Sequence, residues 1–434
     1  MSILLRGVAP LGGRPVDVLL DGGCITQIEP HLDAMDAQVI EADGLILLPG
    51  FVDLHTHLRE PGREDAETVA SGSAAAALGG FTAVHAMANT TPVADTAEMV
   101  EQVARLGALA GLVDVRPVGA VSKGLAGEQL AEIANMARSS AAVRIFSDDG
   151  NCVHDSRLMR RALEYVKPFD AVVAQHAQDP RLADHTACAH EGEVSGRLGL
   201  AGWPAVAEES IVARDVMLAE HTGSRLHVCH VSTAGTVEVI RWAKRRGISV
   251  TAEVTPHHLL LTCDLITGYD PVYKVNPPLR PDEDVAAVRA GLADGTIDAV
   301  ATDHAPHAPH DKDHAFPDAA FGMLGLQTAL GVVAESMVAT GLLDWPGVAD
   351  RMSCRPAMIG RVAGHGRPIQ VGEPANLVLV DPAGEYLVDP ARLASLSRNT
   401  PFAGLVLPAR VTATFLRGTP TVLEGELARR EVAV

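Results

Sequence analysis

None of the six cysteines forms a CxxC pair, and no apolar run approaches the roughly 20 residues of a membrane span. Scattered singly, Cys24, Cys152, Cys188, Cys229, Cys263 and Cys354 read as reduced thiols of a cytosolic protein. Met1 to Pro15 lacks the long apolar segment of a signal peptide, so the expected location is the cytoplasm. There is no basic excess either. A net charge of −19 argues against a nucleic-acid-binding face, which needs a basic patch. It does not argue against a small anionic substrate, because one local arginine can hold an anion. Internal repeats and low-complexity tracts are also missing. What remains is an ordinary globular composition, 47% hydrophobic and 21% charged, over 434 residues. That length suits one large domain plus a smaller one.

The pattern along the chain changes twice. Up to residue 50 it reads as short strands and turns. Val16–Leu20 and Ile25–Ile28 flank Asp21-Gly22-Gly23, a hairpin signal. From Phe51 to about Ala305, short apolar strands alternate with Ala-rich helical stretches such as Ala66–Leu78 and Ala97–Ala110. Eight strand candidates end near His57, Asn89, Ser122, Asp149, His176, Ser232, His257 and His304. This alternation predicts an α/β fold, a TIM-like (β/α)₈ barrel over 51–364. After about Gly364, strands return at Asn376–Val380 and Val411–Phe415. Segments 1–50 and 365–434 are therefore expected to pair into one small β-sandwich domain. The loop Ala305–Ala320, rich in His, Asp and Pro, is expected to be mobile.

The densest chemistry lies in Asp53-Leu54-His55-Thr56-His57, at the end of an apolar strand. Side chains in a strand alternate, so His55 and His57 share a face and can grip one metal ion. Later strand ends supply more ligand types. They are Asp148-Asp149 on the fourth, His176 on the fifth, His227 and His230 on the sixth, and Asp303-His304 on the eighth. His227 and His230 lie on opposite faces, and His230, nearer the strand end, is the better ligand. Asp148 and Asp149 pose the same choice, as do Asp303 and His304. Four such ends behind an HxH strand form a strong signal; each alone is weak.

These residues resemble the amidohydrolase superfamily, and Gly366–Val378 is similar to its β-domain signature. Asp53–Gly62, Met87–Thr90, Phe146–Gly150, Lys274–Arg280 and Ala301–His307 resemble class I dihydroorotase, a bacterial pyrimidine-pathway family, over nearly the whole chain. One departure is Met87-Ala88 before Asn89, where many relatives have Met-Pro. The resemblance implies zinc-dependent, reversible cyclisation of N-carbamoyl-L-aspartate to L-dihydroorotate in UMP biosynthesis. A metal-activated hydroxide would attack the ring amide, with Asp303 as general base and then acid. Two zinc ions per subunit are implied. His55, His57 and Asp303 would hold one, His176 and His230 the other. Asp149, whose spacing to His176 fits the family better than that of Asp148, would bridge them. Arg59, Asn89 and His307 would hold the substrate carboxylate, with His57 also at the substrate. Asn276 and the backbone at Phe321-Gly322 would contact the ring.

Arg59 follows His57 by two residues and so should face the same side; the alternative is an ion pair with Glu60 or Glu64. Other cyclic amidohydrolases, acting on hydantoin, dihydropyrimidine or allantoin, are the nearest competing reading. Many superfamily members bridge their metals with a carboxylated lysine, and the fourth strand end has no lysine. Arg59, Asn89 and Asp149 thus speak against those branches. A non-catalytic scaffold for aspartate carbamoyltransferase is a further alternative; such chains have lost ligands that this one keeps. The family also permits a homodimer and an active carbamoyltransferase partner. His85, His154, His185, His190, His221 and His365 read as solvated or structural. Either His257 or His258 could line the pocket, and His310 and His314, with Asp311 and Lys312, could belong to a lid.

Overall fold

Gly50 splits the apolar run before Asp53 into two strands that serve different sheets. In the computed structural model, which describes residues 2–33 and 35–428, Ile46–Pro49 runs antiparallel to Leu377–Leu387. Phe51–Thr56 instead opens a parallel barrel. A Cβ on Gly50 would lie 2.3 Å from the Thr82 side chain, so only glycine fits this crossing. Both faces of the terminal sheet are covered. Leu47, Leu377 and Leu379 join Ile3, Leu5, Val18, Leu20 and Phe415 in one core, while Ile46, Leu48, Val378 and Val380 face the barrel's core. That double burial explains why these strands read as unbroken apolar runs rather than alternating ones. Nine strands from both ends of the chain make this β-sandwich. The Val16–Asp21 and Cys24–Glu29 hairpin turns at Gly22-Gly23, both with positive φ, as a tight two-residue turn requires.

The barrel strands are Phe51–Thr56, Phe81–Ala86, Asp114–Pro117, Ile145–Phe146, Val172–Gln175, Leu226–Val228, Val250–Val254 and Ala299–Val300. Neighbours pair in parallel. Bridges Gly119–Phe146 and Thr56–His304 join the two halves and close the ring. Each strand lies at or before a predicted strand end. The third stops at Pro117, not Ser122, because the Asp148 carboxylate takes the Val121 and Ser122 N–H groups out of the ladder. The first helix starts at Val69 rather than Ala66, since Thr68 accepts the Ser71 N–H as an N-cap. We propose 1–50, 51–364 and 365–434 as the chain's divisions. In space the last is not separate: residues 388–405 leave the sheet and lie over the barrel mouth. There the Ser395 hydroxyl donates to Glu67, and Asn399 binds the Ala305 carbonyl.

Asp53 fastens the eighth strand to the first. Wholly buried, it accepts from the Thr302 N–H at 3.0 Å, the Thr302 hydroxyl at 2.5 Å and the His55 N–H at 3.1 Å. Asp53→Ala would leave these donors without a partner. We expect a loss of about 3 kcal/mol, read from urea unfolding with an unchanged slope.

Candidate active site

At the carboxyl ends of the strands four imidazoles converge on one carboxylate. Asp149 Oδ1 lies 3.2 Å from His55 Nε2, 3.3 Å from His176 Nδ1 and 3.4 Å from His230 Nε2; its Oδ2 lies 3.3 Å from His57 Nε2. Asp303 Oδ1 adds contacts of 3.0 Å to His57 and 3.4 Å to His55. All six side chains are buried. Burial pushes the Asp149 and Asp303 carboxyls up, but His55 and the other imidazoles outweigh it and hold both below the usual carboxylate range. Two donor trios share Asp149: His55 and His57 on one side, His176 and His230 on the other. His176 Nδ1 and His230 Nε2 are 2.9 Å apart, and His55 Nε2 and Asp149 Oδ1 are buried without a hydrogen-bond partner among the described residues. Buried polar atoms of this kind are normally paired. Nitrogen lone pairs and carboxylate oxygens facing one centre are the donor set of a divalent metal, so these residues fit such an ion.

The remote ring nitrogens confirm the orientation. His55 Nδ1 meets Glu253 Oε1 at 2.9 Å, His57 Nδ1 meets Asn89 Oδ1 at 3.0 Å, and His176 Nε2 meets Gln178 Oε1 at 3.1 Å. Each oxygen accepts an N–H, which leaves the other ring nitrogen free for a metal. Glu253 also takes His227 Nε2 at 2.9 Å. Burial would raise the Glu253 carboxyl, but the His227 charge and bonds from His227 and His55 bring it down to about 2. The open choices are thereby decided. His227 lies below the cluster and His230 in it. Asp148 is occupied by Val121 and Ser122, so Asp149 faces inward. His304 turns to Glu67 at 3.4 Å, leaving Asp303 in the site. Arg59, His230 and Asp303 all have positive φ, the kind of sparsely populated backbone that collects at functional sites.

Arg59 reaches the mouth by a different route from the expected one. The strand ends at Thr56, so alternation does not apply. A turn with φ 61° sends the guanidinium to the Pro306 carbonyl at 3.0 Å and beside His307. Glu60 and Glu64 accept the Val69 and Gly62 N–H groups instead, so neither is paired with Arg59. His307 Nε2 donates to the Phe321 carbonyl at 2.7 Å, and burial with the nearby Arg59 charge pushes its pKa down to about 3. The Gly322 N–H is held by the Lys274 carbonyl, and Asn276 Nδ2 donates to Gln178 at 2.9 Å. The 305–320 loop is more firmly anchored than its composition suggests. The Lys312 ammonium binds the carbonyls of Pro271, Lys274 and Ala320, and Arg63 bridges Asp65 and Asp311. His310 joins that exposed Asp65–Asp311 group. His258 is held by Thr255 and the carbonyls of Pro277 and Pro278. His257 is buried, has no partner at Nε2 among the described residues, and is pushed down to about 4 by burial.

Sequence reasoning missed Glu253, Gln178 and Asn399. Glu253 carried a signal, a lone acid inside Val250–Val254. Asn399 did not. It comes from the far end of the chain to accept the His307 N–H and donate to the Ala305 and Gly322 carbonyls.

Residues 44–236 match the family model described as dihydro-orotase-like. The dihydroorotase of Streptomyces coelicolor is 65% identical over 98% of this chain and 99% of its own length. The chain belongs to the dihydroorotase family. The dihydroorotase of Mycobacterium tuberculosis is 59% identical over 98% of this chain and 100% of its own. Among solved structures, the L-hydantoinase of Arthrobacter aurescens superposes with a TM-score of 0.87 at 24% identity, covering 99% of this chain and 97% of that one. At that identity the likeness shows the shared barrel and β-sandwich. Within the described residues of this dihydroorotase-family chain, no helix is long and apolar enough to cross a membrane.

Two outcomes follow from the bonds around the site. Glu253→Gln keeps the shape but removes the charge behind His55, so metal affinity should fall about tenfold or more, measured by competition with a chromophoric chelator. Asn399→Ala removes the acceptor of the His307 amide, which should then exchange its hydrogen faster in native-state exchange while the barrel strands stay protected.

Proposed function

We propose that this chain is a zinc dihydroorotase of the cytoplasm, closing N-carbamoyl-L-aspartate to L-dihydroorotate and reopening it, in de novo pyrimidine biosynthesis. Two zinc ions are assigned, one to His55, His57 and Asp303 and one to His176 and His230, with Asp149 between them. The observation that carries the reading is Asp149 shared by two buried donor trios, with an arginine at the mouth that has no carboxylate partner among the described residues. When bound, zinc would bring the pKa of water to about 7 and polarise the ring carbonyl.

The chain's own groups do the rest. Asp303, held anionic, takes the remaining proton of the attacking hydroxide and delivers it to the ring nitrogen as the C–N bond breaks, leaving a carboxylate. In the biosynthetic direction it removes a proton from the ureido nitrogen and gives it to the departing carboxylate oxygen, which leaves as hydroxide and takes its second proton from solvent. Arg59 can bind the substrate carboxylate through two parallel N–H bonds. A neutral ring offers no such partner and would leave the desolvated guanidinium unpaired. Asn89 has its oxygen on His57 and its amino group 3.5 Å from the Asp149 carbonyl, and the second N–H of that group would be its donor to the carboxylate. His307 spends its one neutral N–H on Phe321 and so shapes the ring-contact backbone at Phe321-Gly322. The substrate is thus a small molecule. A homodimer and an aspartate carbamoyltransferase partner are compatible assemblies, and neither is required by the site.

The zinc-loaded chain alone is expected to turn over L-dihydroorotate, with activity lost on chelation and little activity on hydantoin or dihydrouracil. No turnover with zinc demonstrably bound would overturn the reading. Asp303→Asn should lower kcat by about 10²–10⁴. Arg59→Lys should raise KM for dihydroorotate about tenfold, close to 1.4 kcal/mol, with the smaller change in kcat.

A further inference from the structure

Gln178 stands two residues beyond His176, just past the end of Val172–Gln175, and its side-chain amide can adopt only one orientation. Its Nε2 donates to the Ala183 carbonyl at 2.9 Å, which turns Oε1 the opposite way. That single oxygen sits 3.1 Å from His176 Nε2 and 2.9 Å from Asn276 Nδ2. Donor and acceptor accounting then fixes the neighbours. His176 Nδ1 faces Asp149 and His230, so the ring's proton is on Nε2 and is given to Gln178. Asn276 must also present its amino group to the same oxygen. Its own oxygen, Oδ1, is thereby turned away; it is buried and has no partner among the described residues.

We propose that Gln178 is a positioning residue that ties the metal side of the site to the ring side: through one oxygen it orients His176 and makes Asn276 Oδ1 an acceptor for a substrate N–H. The proposal rests on the roles of His176 as a metal ligand and Asn276 as a ring contact. Both the cyclic amide and its opened ureido form carry N–H groups, so both satisfy this acceptor. An isostere with oxygen or an N-alkyl group at the contacted position presents no N–H there and leaves the buried oxygen unpaired, which is how a site built for an N–H rejects an analogue lacking it. Gln178 touches no reacting atom; it acts through its two neighbours.

The test is a double-mutant cycle with Gln178→Leu and Asn276→Ala, alongside Gln178→Glu, which keeps an acceptor for both donors. We expect Gln178→Leu to raise KM for dihydroorotate about tenfold with a smaller change in kcat, and to weaken zinc retention about tenfold against a competing chelator. Gln178→Glu should recover most of both losses. The double variant should have a KM no worse than Asn276→Ala alone, since Gln178 affects the ring only through Asn276. Effects on KM that multiply in the double variant would overturn the proposal. So would a Gln178→Leu enzyme with unchanged KM and zinc affinity while Asn276→Ala raises KM. If Asn276→Ala leaves KM unchanged, the ring-contact role itself fails, and the proposal with it. Should Gln178→Leu not fold, Gln178→Glu decides: near-native KM and zinc affinity support the proposal, and losses as large as those of Asn276→Ala refute it.

Discussion

One buried carboxylate, Asp149, organises this molecule. Four imidazole nitrogens turn onto its two oxygens, an arrangement of nitrogen and oxygen donors that suits a cation between them. The cluster is stable in this shape because every ring but one has its remote nitrogen engaged by a visible acceptor: Glu253 for His55, Asn89 for His57, Gln178 for His176. The barrel supplies rigidity beneath. Each ligand sits at or just past a strand end, where the ladder fixes the Cα positions and the following turn aims the side chain.

The strain in the site is local and has visible supports. His230 and Asp303 each take a positive φ immediately after a barrel strand. The neighbouring backbone is held on both sides of them. The Val231 N–H goes to the Glu253 carbonyl and the Cys229 N–H to Gln175, while Thr302 is clasped by Asp53. The same acid strand that orients His55 through its side chain therefore also fixes His230 through its backbone. This is why the interior below the His–Asp cluster carries buried charge at all: an apolar filling would pack, but it could not set the direction of a ring.

Much of the fold was readable from residue order. Eight apolar strands with polar ends and two strand-rich termini translate directly into a barrel and a shared sheet, because both signals are periodic and local. The identity of the facing residues was less so. Asp148 and Asp149 differ only in which backbone N–H groups lie nearby, and those belong to Val121 and Ser122, far off in the chain. Arg59 arrived where expected for a reason the sequence does not hold, a left-handed turn beyond the strand. Gln178 and Asn399 carry no pattern of their own; their importance lies in partners 77 to 98 residues away.

Pairing of Ile46–Pro49 with Leu377–Leu387 has a consequence for how the protein is made. The early strands emerge from the ribosome with no mate for their exposed edge until more than 300 further residues have followed. The barrel, whose contacts link successive strands and helices, can condense during that interval, while the first strands wait as an apolar segment in need of shelter. Residues 377–427, made after the barrel, both complete the sheet and lay residues 388–405 over the mouth. Birth order thus places assembly of this rim after that of the barrel, so a chain interrupted before residue 388 would hold its buried His–Asp cluster but lack the frame around its entrance.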